Sequence, residues 1–105
     1  MNRTEAEFAA FLEIQKRGGD SGVLSGWKVM DYKYEAIRIR LAERTTYTPD
    51  FLVTFDDNSM MLIEIKGAHA FEDSLVKYKI ATEQYPNFKW AMWRKDKARG
   101  WHQWR

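Results

Sequence analysis

The sequence predicts an α/β domain, and three observations predict it. Apolar residues recur at helical spacing near the start, several segments in the middle alternate apolar and polar residues, and a second helical stretch precedes one more aromatic strand. The first helix is expected over residues 4 to 17, with Phe8, Phe11 and Leu12 as its apolar stripe. Thr4 and Glu7, three positions apart, read as a capping box in which each satisfies the other's exposed amide. Gly18 and Gly19 stop the helix, and the turn-rich stretch GGDSGVLSG follows. Trp27 to Tyr34 is the first expected strand. In AIRIRLAER, Ile37, Ile39 and Leu41 share one face while Arg38 and Arg40 share the other. Tyr47 to Phe55 and Met60 to Lys66 are two further strands around the turn composition DDNS, and Gly67 ends the second. A second helix is expected over residues 72 to 85, with Leu75, Val76, Ile80 and Ala81 as its apolar positions and Pro86 beyond its end. FKWAMW, residues 88 to 93, is the last strand, so the order is helix, three or four strands, helix, strand.

At 105 residues the chain is expected to form one domain with a single core. Its net charge of +2 hides an asymmetry: residues 94 to 105 hold five Lys/Arg against one Asp, leaving twelve Lys/Arg against fourteen Asp/Glu elsewhere. The expectation is a slightly acidic body with a basic, Trp-containing C-terminal tail. Cysteine is absent, which excludes disulfides and thiolate metal sites. No run approaches the roughly 18 apolar residues of a membrane helix, and MNRTEAEFAAF is too acidic for a signal peptide. A soluble, cytoplasmic protein is expected.

The stretch TPDFLVTFDDNSMMLIEIKG, residues 48 to 67, sets Asp50, Glu64 and Lys66 among strand-forming apolar residues. Glu64 and Lys66 are two apart and share a strand face. Asp50 joins them only in one hairpin register, pairing 52 with 62 and 54 with 60 around the three-residue loop Asp56-Asp57-Asn58, where Asn58 suits a left-handed final position. A two-residue loop would turn Asp50 to the far face. Two neighbouring carboxylates repel unless a cation intervenes. A hard divalent cation such as Mg2+, for which Mn2+ can substitute, takes one or two carboxylates and completes its shell with water and phosphate oxygens. A lysine beside it can orient the attacking water or stabilise charge developing on phosphorus. Acid, acid and lysine on one face therefore suit phosphodiester hydrolysis. The alternative is a hairpin face whose charges are only solvated.

TPDFLV followed by IEIKG resembles the PD-(D/E)XK nuclease superfamily. The flanking RTTYTPDFLV and ATEQYPNFKW resemble, within it, the small phage endonuclease I family of Holliday junction resolvases. The resemblance runs from about Thr4 to Trp93. It implies a restriction-endonuclease-like core, a central mixed β-sheet flanked by helices in the order α-β-β-β-α-β. It also implies a Mg2+-dependent endonuclease acting on branched DNA in phage DNA processing, in the host cytoplasm, and a homodimer would suit the two cuts that resolving a four-way junction takes. By the same analogy Asp50, Glu64 and Ile65 bind metal and Lys66 assists the nucleophile. The rival reading is a module of the same fold that binds nucleic acid or protein without cutting.

Many relatives add a glutamate from the first helix, and the family pattern matches Glu5, with Leu12-Glu13 seven and eight residues later. At ~100° per residue the apolar stripe centres roughly 60° from Glu5, 100° from Glu7 and 140° from Glu13. Glu5 is thus nearest the buried face and is the candidate fourth catalytic and metal-binding residue, whereas Glu7 is assigned to the cap and Glu13 to solvent. The plainer role for Glu5 is a carboxylate at a helix N-terminus. Lys77 and Lys79 could hold the DNA backbone or merely solvate a helix face, and Arg38 and Arg40 could bind phosphate or blunt a sheet surface. In the tail, Arg94, Lys95, Lys97 and Arg99 could neutralise phosphates while Trp101, beside Trp104, stacks on exposed bases. The alternative is that these indoles pack on the body. His69 and His102 are isolated, and His69 is read as a loop residue.

Overall fold

The computed structural model of the chain describes residues 1–18, 23–24, 26–66 and 72–104. Gly19, Gly67 and His69 lie outside the described residues. The first helix, α1, spans Arg3–Arg17 and is capped by Asn2, not Thr4. The Asn2 side chain accepts from the Glu5 amide at 2.8 Å, and Glu5 Oε1 accepts from the Asn2 amide at 2.8 Å. The expected Thr4–Glu7 box is therefore displaced by two residues. Glu7 instead pairs with Arg3 at 3.4 Å and Lys95 at 3.4 Å. Asn2→Ala is expected to lower stability by about 1 kcal/mol, and Thr4→Ala by no more than about 0.5 kcal/mol, as read from urea denaturation midpoints. Phe8 and Leu12 are fully buried, and Gly18 closes the helix as its C-cap.

Among the described residues eight strands follow: β1 (Val23–Leu24), β2 (Trp27–Tyr34), β3 (Ile39–Ala42), β4 (Thr45–Tyr47), β5 (Phe51–Phe55), β6 (Met60–Lys66), β7 (Lys89–Asp96) and β8 (Gly100–Gln103). The second helix, α2 (Glu72–Gln84), crosses from β6 to β7. Six strands form one mixed sheet in the order β1-β2-β5-β6-β7-β8, parallel only between β6 and β7. The strand expected over AIRIRLAER stays outside it: β3 pairs only with β4, as a separate two-stranded sheet. The continuous strand expected over Tyr47–Phe55 is broken at Pro49, which has no amide to give a ladder, and the chain changes sheets there.

Strand alternation sorts side chains into two cores. Phe51, Val53, Phe55, Met61, Ile63, Ile65, Ala91 and Trp93 pack against Phe8 and Leu12 of α1. On the opposite face Leu62 and Met92 meet Ile39, Leu41 and Tyr47 of the small sheet and Tyr78 and Ala81 of α2. The buried face of α2 thus runs through Leu75, Tyr78 and Ala81, and Val76 and Ile80, expected to be buried, are exposed. Tyr78 covers the sheet with a larger ring and turns those two outward. The helices therefore flank the sheet as expected. Among the described residues no helix is long and apolar enough to cross a membrane.

Candidate active site

The β5–β6 ladder pairs Phe51 with Ile63, Leu52 with Leu62, Val53 with Met61 and Thr54 with Met60. Phe55 and Ser59 close it through a 2.9 Å hydrogen bond, so the loop is Asp56-Asp57-Asn58, with Asn58 left-handed at φ 69°. One further step sets Asp50 opposite Glu64. This is the register that the three acid–lysine positions require.

Asp50 stands just before β5, where its Oδ2 accepts from the Ile65 amide at 2.7 Å. Glu64 and Lys66 lie on the β6 face shared with Leu62, and they are 8% and 5% exposed. Lys66 Nζ is 3.5 Å from Glu64 Oε2 and donates to Ser74 Oγ in the first turns of α2. Glu64 Oε1 accepts from the Tyr47 hydroxyl at 2.6 Å. Glu5 comes from the other layer, where its Oε1 accepts from the Tyr34 hydroxyl at 3.0 Å. It also lies close enough to Asp50 for the two carboxyls to share a hydrogen bond. The site therefore sits at one end of the sheet, where α1 and the α2 layer converge.

The electrostatics follow from crowding. Burial, the Glu64 charge and Glu5 push the Asp50 carboxyl up to about 8, against the Ile65 amide, which favours ionisation. Burial also raises Glu64, although Tyr47 and Lys66 oppose it. For Glu5 the cost of partial burial is outweighed by hydrogen bonds from the Asn2 amide, Asp50 and Tyr34, which hold it below the usual carboxylate range. Burial and the Glu64 charge hold the Tyr47 hydroxyl far above its ordinary value, so it remains a donor. Glu5 neighbours Asp50 and Asp50 neighbours Glu64, while Lys66 pairs with Glu64, so the chain of three acids carries two more charges than its one cation when all are ionised.

The oxygen groups here that could meet a cation are the carboxylates of Asp50, Glu64 and Glu5 and the main-chain carbonyl of Ile65, whose side chain is buried in the α1-side core. Among the described residues no three His, Cys, Asp or Glu groups stand close enough together to hold a metal ion by themselves. Mg2+ needs no such group of three, since water and phosphate usually fill most of its octahedron. The donor chemistry and the charge deficit both fit a divalent cation.

The basic segment is not a loose tail. Residues 89–96 and 100–103 form the β7–β8 hairpin, pairing Trp93 with Gln103 and Lys95 with Trp101. Trp101 packs on Phe8 at 4.9 Å between ring centroids and on Phe11 at 6.5 Å. The indole thus shows the packing on the body that is its alternative reading, covering an aromatic surface that α1 leaves. Trp101→Ala is expected to lower stability by about 2 kcal/mol, measured by denaturant titration, a loss that a solvent-facing indole would not show.

Arg94 lies 5.1 Å from the Trp104 ring centroid and Lys95 5.9 Å from that of Trp101, so indoles brace both cations. With Lys97, Thr4, Glu7 and Asp96 they line a cavity of about 500 Å³ that opens onto Lys66. Arg99, in the hairpin turn, is tied instead to Asp96 at 3.7 Å. Lys77 is half-buried, three residues along α2 from Ser74 and so on the site-facing side, whereas Lys79 is exposed away from it. Arg40 is exposed on β3 and Arg38 is exposed just before it. Glu13, expected to face water, accepts from the Tyr32 hydroxyl at 2.7 Å.

A family model described as TnsA-like endonuclease N terminal matches residues 27–98, well over half of the chain. The chain belongs to that family. The TnsA-like endonuclease N-terminal domain is restriction-endonuclease-like and falls within the PD-(D/E)XK superfamily, and the α/β architecture described above agrees with it. The match contains Asp50, Glu64 and Lys66 but not Glu5, so the place of Glu5 rests on its contacts with Asp50, Asn2 and Tyr34. Neither the curated proteins nor the solved structures gave a match.

Two residues that touch the site carry no signal in the sequence reading. Tyr47 ends β4 and reads as a strand aromatic until the separate β3–β4 sheet brings it to Glu64. Ser74 would be found only from the rule that α2 must begin close to the end of β6, placing a short hydroxyl within reach of Lys66.

Proposed function

We propose that this TnsA-like domain is a metal-dependent DNA endonuclease that hydrolyses phosphodiester bonds at Asp50, Glu64 and Lys66. One observation carries the reading: the hairpin register puts two carboxylates side by side with a buried lysine, at a place where the acids are short of positive charge. A buried ion pair adds little net stability, so the core gains little from keeping Glu64 and Lys66 there. Asp50, Glu64, Glu5 and the Ile65 carbonyl are the groups that would hold Mg2+ or Mn2+. Such an ion would supply positive charge to a phosphoryl oxygen and acidify a water. Lys66, held between Glu64 and Ser74, presents its ammonium to the attacking water or to the oxygen on which charge builds.

The cavity beside Lys66 supports a path for the DNA backbone. Arg94, Lys95 and Lys97 outnumber Glu7 and Asp96 there, and each phosphate neutralised releases counterions. Lys77, half-buried one turn along α2 from Ser74, would add a further cation for the DNA backbone. The favoured substrate is branched DNA of the junction type, in phage DNA processing, on the resemblance of RTTYTPDFLV and ATEQYPNFKW. A homodimer would supply the two cuts.

Incubating the protein with plasmid and four-way junction DNA, in Mg2+ and then in EDTA, tests the reading. Cutting in Mg2+ that stops in EDTA is expected, with junctions cut faster than linear duplex. Tight, salt-sensitive binding without cutting would favour a non-catalytic binding module.

A further inference from the structure

Glu64 is held by a contact that the hydrolytic proposal does not use. Tyr47 is 5% exposed, its ring fixed among Ile39, Leu41, Leu62 and Tyr78. Its hydroxyl donates to Glu64 Oε1 at 2.6 Å, while Oε2 of the same carboxylate lies 3.5 Å from Lys66 Nζ. That separation is longer than about 2.7–2.9 Å, the length of a charge-assisted hydrogen bond, and each partner is tied elsewhere. Tyr47 restrains the pair from the acid side, and Ser74, which accepts from Lys66 Nζ, from the ammonium side.

We propose, resting on the nuclease reading, that Tyr47 is a positioning residue that keeps Glu64 from collapsing onto Lys66 and so leaves the carboxylate available to a divalent cation. The chemistry of the donor matters. A lysine or arginine in its place would orient Glu64 equally well but would cancel the charge that attracts the cation. A phenolic hydroxyl orients without that compensation. The ring is locked in the core, so the hydroxyl cannot follow Glu64 if it turns. Beyond the end of β4 the chain passes through Thr48 and Pro49 to Asp50, so the segment that orients one carboxylate also leads to the other.

Tyr47→Phe removes the hydroxyl and retains the ring. Mn2+ binding by calorimetry at fixed pH is expected to weaken about tenfold, as happens when partners of metal ligands are removed. The Mg2+ concentration for half-maximal cleavage should rise by a similar factor, with kcat at saturating Mg2+ and KM for DNA within about threefold of wild type. Affinity for DNA in EDTA should not move. Ser74→Ala tests the restraint from the other side should Tyr47→Phe fail to fold, and it should weaken Mn2+ binding in the same direction. Unchanged Mn2+ affinity in the folded variant, with the wild type binding and cutting, overturns this proposal alone. A wild-type protein that binds no Mn2+ overturns it together with the nuclease reading.

Discussion

Lys66→Met is expected to reduce Mg2+-dependent cleavage by about 10²–10³-fold, the usual loss when one preorganised donor to developing charge is removed. Methionine keeps most of the aliphatic volume in a site where Lys66 is 5% exposed, so packing is largely retained. Lys66→Ala should lose as much activity and more stability, because it also leaves a void. In both variants Glu64 loses the cation 3.5 Å from Oε2. A buried carboxylate in that position takes up a proton rather than remain uncompensated. KM for DNA should change little, because Arg94, Lys95 and Lys97 still line the cavity. Single-turnover cleavage at saturating DNA isolates the effect on the chemical step. An undiminished rate in folded Lys66→Met would remove Lys66 from the mechanism.

Asp50→Asn is expected to abolish cleavage and yet make the metal-free protein more stable at pH 8. The sign follows from linkage. Asp50 is pushed up to about 8 by burial and by the Glu64 charge, whereas in the unfolded chain it ionises near 4. Between those values the folded state holds a proton that the unfolded state has lost, so stability falls as pH rises from about 4 to about 8. Asparagine removes that loss and can still accept from the Ile65 amide. Allowing for relaxation and partial exposure, the gain at pH 8 should be about 1–2 kcal/mol, or roughly 5–10 °C in melting temperature. At pH 4 the two proteins should melt together. Mg2+ should stabilise the wild type more as pH rises, since a cation favours the ionised carboxylate, and should leave Asp50→Asn unaffected. Thermal melts across this pH range in EDTA and in Mg2+ would show both trends.

The part of the site legible in the sequence was the part governed by local rules. Parity places Glu64 and Lys66 on one face. Asn58, able to adopt φ 69°, permits the three-residue loop that brings Asp50 into register. The sequence is ambiguous where two solutions satisfy the same local rule. Asn2 with Glu5 and Thr4 with Glu7 are both capping boxes by spacing, and the helix took the earlier one. In α2, apolar residues encircle the helix, and only the sheet decides that Tyr78, not Val76 or Ile80, is buried. The rest depends on contacts distant in the chain. Trp101 reads as a solvent-facing indole until Gly100, at φ 66°, turns the chain back along β7 and onto Phe8. Tyr47 reaches Glu64, seventeen residues on, only because β4 leaves the main sheet.

The geometry of the acidic cluster is tested most directly by crystals grown with Mn2+ and measured at the manganese absorption edge. The account predicts an anomalous peak within direct coordination distance of carboxylate oxygens from both Asp50 and Glu64, lost in crystals of Asp50→Asn. A peak elsewhere, or no peak while Glu64 closes onto Lys66, would contradict it.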